Sequence, residues 1–252
     1  VSSKGTGVYM TGSSTFGGWN DMILNNGSTG IYVDNSSAVI DGKKITGTSD
    51  KAKGIVSINS DVTNKANMQF SSDDSIGIFS QNKSGAAKTV INSGNIDITG
   101  KRSIAAYLEG TSDQTFENSG TINVDKTTTS VKNDSTVGIY AQNGSKINIK
   151  NSGTINVGEA SFGIYSLSEN GNVETTGSSV INVADKAIGV YKKGGSANLG
   201  GIINVANHLA SDANSEPVGV YGTNGVTIND TTTNFSVGDK SYDVILSNPG
   251  MN

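Results

Sequence analysis

Cysteine is absent from the 252 residues, so the chain forms neither a disulfide nor a thiolate metal site. A chain without cysteine also suits a protein that must cross a membrane unfolded. Proline occurs only twice, aromatic residues are few, and a single histidine, His208, is available for any triad chemistry. Basic runs are missing and the formal charge is −4, so the electrostatic footprint of a nucleic-acid binder is lacking and no nucleic acid is expected as a partner. No apolar stretch approaches the roughly 18 residues of a membrane span, so no direct membrane insertion is expected in this segment. Val1 falls inside the repeat described below with no signal-peptide pattern, and the chain reads as a piece of something longer. HExxH, Walker A, EF-hand spacing and nonapeptide calcium repeats are all missing, so the expectation is no cofactor and no metal.

What is present is glycine, 33 of 252 residues, with Asn, Ser and Thr crowded between short apolar triplets, a composition of many turns and few helices. Hydrophobic residues make up 34%, thin for a compact globule but enough for a narrow core in which each repeat buries its faces on its neighbours. The regular alternation of apolar residues argues against disorder.

A two-part motif recurs from end to end. The first arm is Gly-Ile-Tyr or a close variant, at Gly7, Gly30, Gly54, Gly77, Ala105, Gly138, Gly163, Gly189 and Gly219, with a degenerate copy at Asp243-Val244-Ile245. Its marks lie 23 to 33 residues apart, the spacing of a repeat architecture. The second arm precedes the first and is sharpest in Asn92-Ser93-Gly94-Asn95-Ile96-Asp97-Ile98, in Asn118 to Val124 and in Asn151 to Val157, with weaker copies ending at Val183 and Val205. From Val157 to Gly163 and from Val183 to Gly189 is 6 residues, which implies one fixed turn. A less regular apolar segment lies between the arms, as in Lys146-Ile147-Asn148-Ile149 and Ala197-Asn198-Leu199.

In Thr154-Ile155-Asn156-Val157 the period of two puts Ile155 and Val157 on one face and Asn156 on the other. The same parity places Phe162 and Ile164 inward and Gly163 and Tyr165 outward, so the tyrosines are expected to form an external column in which each ring shields a neighbouring glycine. Asn92, Asn118 and Asn151 share one place in their repeats, where a left-handed turn is tolerated and the amides can stack into a ladder. The expected fold is all-β: a right-handed parallel β-helix with three short strands per coil and about ten coils, one domain over residues 1–252, making a rod roughly 45 Å long at about 4.8 Å per coil.

Two connections break the spacing. Val124 to Gly138 and Val205 to Gly219 each take 14 residues, so loops are inserted near 125–135 and 206–217, at one corner and three repeats apart. Insertions of this kind map to one face, often the binding face, although neutral insertion is an equal reading. The candidate binding residues are therefore Thr127, Lys132 and Asp134 on the first insertion and His208, Asp212 and Glu216 on the second. Tyr140, Tyr165, Tyr191 and Tyr221 on the column complete the set, as scaffold or as a stacking and hot-spot strip. For catalysis the nearest approach to paired acids is Asp50 with Asp73 and Asp74, yet all three sit in turns where Asp is ordinary, and His208 with Ser211 and Asp212 has nothing to orient it. Catalytic residues are not expected.

With Asn-Ser-Gly-Thr-Ile-Asn-Val at Asn118 to Val124 and again at Asn151 to Val157, each followed by Gly-Ile-Tyr, the chain resembles the passenger domains of large type V autotransporter adhesins of Gram-negative bacteria. The resemblance implies a segment displayed outside the outer membrane or secreted, which binds a host surface protein, a host glycan or a partner bacterium. Parallel β-helices also include polysaccharide hydrolases and lyases, and a spacer that only carries a distal tip is a further alternative.

Overall fold

The computed structural model describes residues 4–125, 135–209 and 215–247. Among them the chain is all-β, with parallel strands stacked into a β-solenoid of about nine turns. The smaller sheet has ten strands in simple sequence order: Thr6–Met10, Thr29–Asp34, Lys53–Ile58, Ile76–Asn82, Ile104–Gly110, Val137–Ala141, Phe162–Ser166, Ile188–Lys193, Val218–Thr223 and Tyr242–Ser247. The larger sheet follows two runs. One ascends from Ser14–Gly17 through Lys88–Asn92 and Ile147–Asn151 to Asn172–Thr175, and the other descends from Val180–Val183 through Thr154–Val157 and Thr121–Val124 to Met22–Leu24. The ten-residue strand Ser196–Val205 joins the two runs, and Thr227–Val237 pairs along its whole length.

The register follows the repeat marks residue for residue. Ile31 pairs with Ile55, Ile139 with Ile164 and Val190 with Val220, while Ile122, Ile155, Ile181 and Ile203 line up in the descending run. These aliphatic residues are fully buried and form one continuous core from Met10 to Val220. Burying each such side chain contributes about 1.5–3 kcal/mol, and parallel strands offer this burial on every coil.

The alternation expected across Phe162-Gly163-Ile164-Tyr165 fails at the glycine. Gly163 and Ile164 are both buried, while Phe162 meets Tyr165 edge-to-face at 4.9 Å on the outer side. Pairing passes from Phe162↔Ile188 directly to Ile164↔Val190, so the strand kinks at the glycine, and the same buried pair recurs in the neighbouring coils. A Cβ on Gly163 would stand 2.5 Å from the carbonyl oxygen of Gly189 and 2.9 Å from Val157. The glycine is therefore inward and selected by lack of room, not outward and shielded by a tyrosine ring.

The expected asparagine ladder is present and longer by one member. Asn64 donates to Asn92 (2.8 Å), Asn92 to Asn118 (2.9 Å) and Asn118 to Asn151 (2.8 Å), all buried, and each amide also donates to the carbonyl two residues on. None of the four has the left-handed backbone expected for it. Positive φ falls instead in the fixed turn, at Ala160 (58°) and Lys186 (60°). In Asn-Ser-Gly the glycine again answers to space, since a Cβ on Gly120 would lie 2.1 Å from the oxygen of Gly94. No helix among the described residues is long and apolar enough to cross a membrane.

Candidate binding groove

The descending run positions a second, outer ladder. Alternation turns the middle residue of each Ile-Asn-Val triplet to the surface, and in-register stacking brings successive amides together. Asn123 donates to Asp97 (2.6 Å), Asn156 to Asn123 (2.6 Å), Asn182 to Asn156 (2.7 Å) and Asn204 to Asn182 (2.7 Å). Beside this ladder lies an open groove of about 460 Å³. It is lined by Asn156, Asn182, Asn204 and Ser236 and by the small residues Gly158, Ala184 and Ala206, and it reaches the almost wholly buried Val124, Val157, Val183 and Val205 at the edge of the core.

Both lengthened connections leave from this groove. Val124 and Val205 line the groove and are also the last strand residues before the two insertions, and the pairings Val124↔Val157, Val157↔Val183 and Val183↔Val205 put them three steps apart on one line. The strands that lead into the two insertions therefore end on one line of the stack. Thr127, Lys132, Asp134 and Asp212 lie outside the described residues. Glu216 is half-exposed where the second insertion returns.

His208 differs from its expectation as an unoriented, solvated residue. Its ring is buried and its Nδ1 lies 2.8 Å from Asp185 Oδ1, while the next amide, of Leu209, donates to Asp185 Oδ2 (3.2 Å). The backbone N–H of His208 donates to the carbonyl of Asp239 (2.9 Å), and Asn207 Oδ1 accepts from the Asp239 amide (2.8 Å). Burial works against the Asp185 charge, but hydrogen bonds from His208 and from the Leu209 and Lys186 amides outweigh it and hold the carboxyl below its usual range. This root fixes the second insertion between two coils. His208 thus anchors the loop and is not a surface contact.

The tyrosine column is present on the smaller sheet. Phe79, Tyr107, Tyr140, Tyr165, Tyr191 and Tyr221 form an unbroken stack with ring centroids 4.5 to 5.7 Å apart, and Tyr9 and Tyr32 form a separate pair where Val56 interrupts. Each interior ring has both faces against its neighbours, so the interior of the column offers edges and hydroxyls and not ring faces on which a sugar could stack. Burial raises the hydroxyl pKa of Tyr140 and of Tyr165, and burial together with nearby Glu109 pushes Tyr107 up to about 12. The groove lies along the larger sheet and the tyrosine column on the smaller one.

The acids weighed for catalysis are engaged in turns. Asp50 Oδ1 accepts the Asp73 amide (3.1 Å), Asp73 Oδ1 accepts the Lys101 amide (2.9 Å), and Asp74 pairs with Arg102 (2.7 Å). Among the described residues no cluster of three or more His, Cys, Asp or Glu is placed to hold a metal. No family model, curated protein or solved structure matches the chain.

Three features escaped the reading of the sequence: the outer amide ladder, Asp185, and the wholly buried Lys192. The ladder had a signal, since Asn follows Ile at one fixed place in four successive repeats. Asp185 had none, because it is one acid among 22 and gains its role only from a histidine 23 residues away.

Proposed function

We propose that the chain is a surface-displayed adhesin segment, part of a large type V autotransporter passenger, whose flank binds a host-cell protein, a host glycan or a neighbouring bacterium. The finer form of the fold belongs to the same reading. A right-handed winding with three strands per coil is supported by the division of the larger sheet into two runs beside the smaller one, and by the strong right-handed preference of parallel crossover connections. The observation that carries the functional reading is the convergence of the groove with both insertions on one line of the stack. A groove built on rigid coils loses little freedom on association, and loops at its rim add adaptable contacts.

The test is binding of the fluorescently labelled segment to epithelial cells and to an array of receptor ectodomains and glycans. Ala184→Trp fills the groove at a half-exposed position. A second variant lacks 127–132 and 211–214 and spares Asn207 and His208, which hold the coil. The expected result is binding by the parent and at least a tenfold loss in both variants, with the melting temperature nearly unchanged. Full binding by both variants would place the site elsewhere, and failure of the parent to bind at all would favour a spacer.

A further inference from the structure

We propose that the groove takes a neutral, extended oligosaccharide laid along the stack axis. This rests on the groove being the binding site, and it names the chemistry of the ligand. Four observations converge on it.

First, the side chains lining the groove are Val, Ala, Asn and Ser, with no charged residue, so nothing there compensates a desolvated sulfate, carboxylate or ammonium group. Second, a primary amide has two N–H donors and two acceptor lone pairs. The ladder consumes one donor and one acceptor of Asn156 and of Asn182, which leaves each amide a donor and an acceptor side by side, the pairing that vicinal hydroxyls accept and return. Third, the small residues Gly158, Ala184 and Ala206 line the groove together with the amides, a mixture that matches a pyranose ring whose C–H face is apolar and whose rim is polar. Fourth, the strands Thr121–Val124, Thr154–Val157, Val180–Val183 and Ser196–Val205 each pair with neighbours on both sides, so among the described residues only the end strand Thr227–Val237 leaves a backbone edge at the groove, and the stretch over Asn156 and Asn182 has none to capture a peptide as an added strand.

The dimensions agree with a chain ligand. From Val124 to the coil of Ser236 the lining crosses four strand steps, roughly 19 Å at about 4.8 Å each. Amides repeating at that interval present the same contact to successive units of an extended polymer. The tyrosine column, with its ring faces covered, does not compete for this role.

The experiment is calorimetric titration of the segment with linear hexasaccharides of β-1,4-linked glucose and of β-1,4-linked N-acetylglucosamine, with a sulfated heparan hexasaccharide as the charged comparison. The expected result is saturable binding of at least one neutral chain, at least a fivefold loss in Asn156→Ala/Asn182→Ala, abolition in Ala184→Trp, and weaker or no binding of the sulfated chain. Absence of binding by both neutral chains overturns the proposal, as does a sulfated ligand that binds more tightly or neutral binding that Ala184→Trp leaves intact. If Ala184→Trp abolishes cell or receptor binding while neutral chains fail, the groove remains the site and only the ligand class is wrong. If cell binding survives Ala184→Trp, the groove itself is the wrong site.

Discussion

At the scale of the residue, Lys192 is, among the described residues, the one long charged side chain carried wholly into the core. Its Nζ donates to the carbonyls of Ser168 (2.7 Å) and Lys193 (3.0 Å), and desolvation by burial, only partly offset by Glu169, lowers its pKa to about 8. The ammonium is thus tolerated but disfavoured relative to the unfolded chain, where lysine titrates near 10.5. Between about pH 8 and 10.5 the unfolded state binds more protons, so this group makes stability rise with pH over that window, and its cost is fully present below it. Lys192→Met removes the charge at similar volume. Denaturant melts at pH 7 and pH 10 should show the variant more stable at pH 7, by on the order of 3 kcal/mol, with the gap closing toward pH 10. A gap that stays constant with pH would show that Lys192 is not the group responsible. Nothing in the sequence singles out this residue, because Lys192-Lys193 after Gly-Val-Tyr has the pattern of an ordinary solvated pair.

At the scale of the element, two asparagine ladders run along the stack and differ in burial and in the backbone bonds that only the inner amides make. The inner one, Asn64 to Asn151, is sealed, and every member has its amide bonds within the protein. Removing one member leaves buried partners unmatched, whereas the outer ladder can turn to water. Asn118→Ala is expected to cost about 3 kcal/mol and Asn123→Ala about 1 kcal/mol or less, measured as the difference in chemical unfolding. Equal costs would contradict the assigned burial. The inner ladder was readable in sequence because Asn-Ser-Gly recurs at a constant place before Ile-Asn-Val. Its backbone conformation was not, because a motif of Asn and Gly fits a left-handed turn as well as the close approach of coil on coil that selects it here. The inward glycine of the Gly-Ile-Tyr arm escaped for the same reason. Strict alternation predicts it outward, and only the contact with the next coil's carbonyl reveals the kink. The site was legible as a corner where the spacing slips, but not as a groove, which depends on small residues from separate coils lying side by side.

At the scale of the whole molecule, groove, insertions and tyrosine column all depend on one relation, in which each repeat of 23 to 33 residues adds one coil and one strand step along the axis. Residues hundreds of positions apart in sequence are then separated by a simple count of coils. Ile23 connects through the register to Asn123 in four steps and to Ser236 in eight. The chain lacks cysteine, so paired spin labels can be introduced at Ile23 and Asn123 and at Ile23 and Ser236 without background. Pulsed electron–electron distance measurement should give backbone separations of roughly 19 Å and 38 Å, the second twice the first, at about 4.8 Å per coil. Two similar distances, or a shorter one for Ile23 and Ser236, would contradict the stacked solenoid and with it the groove.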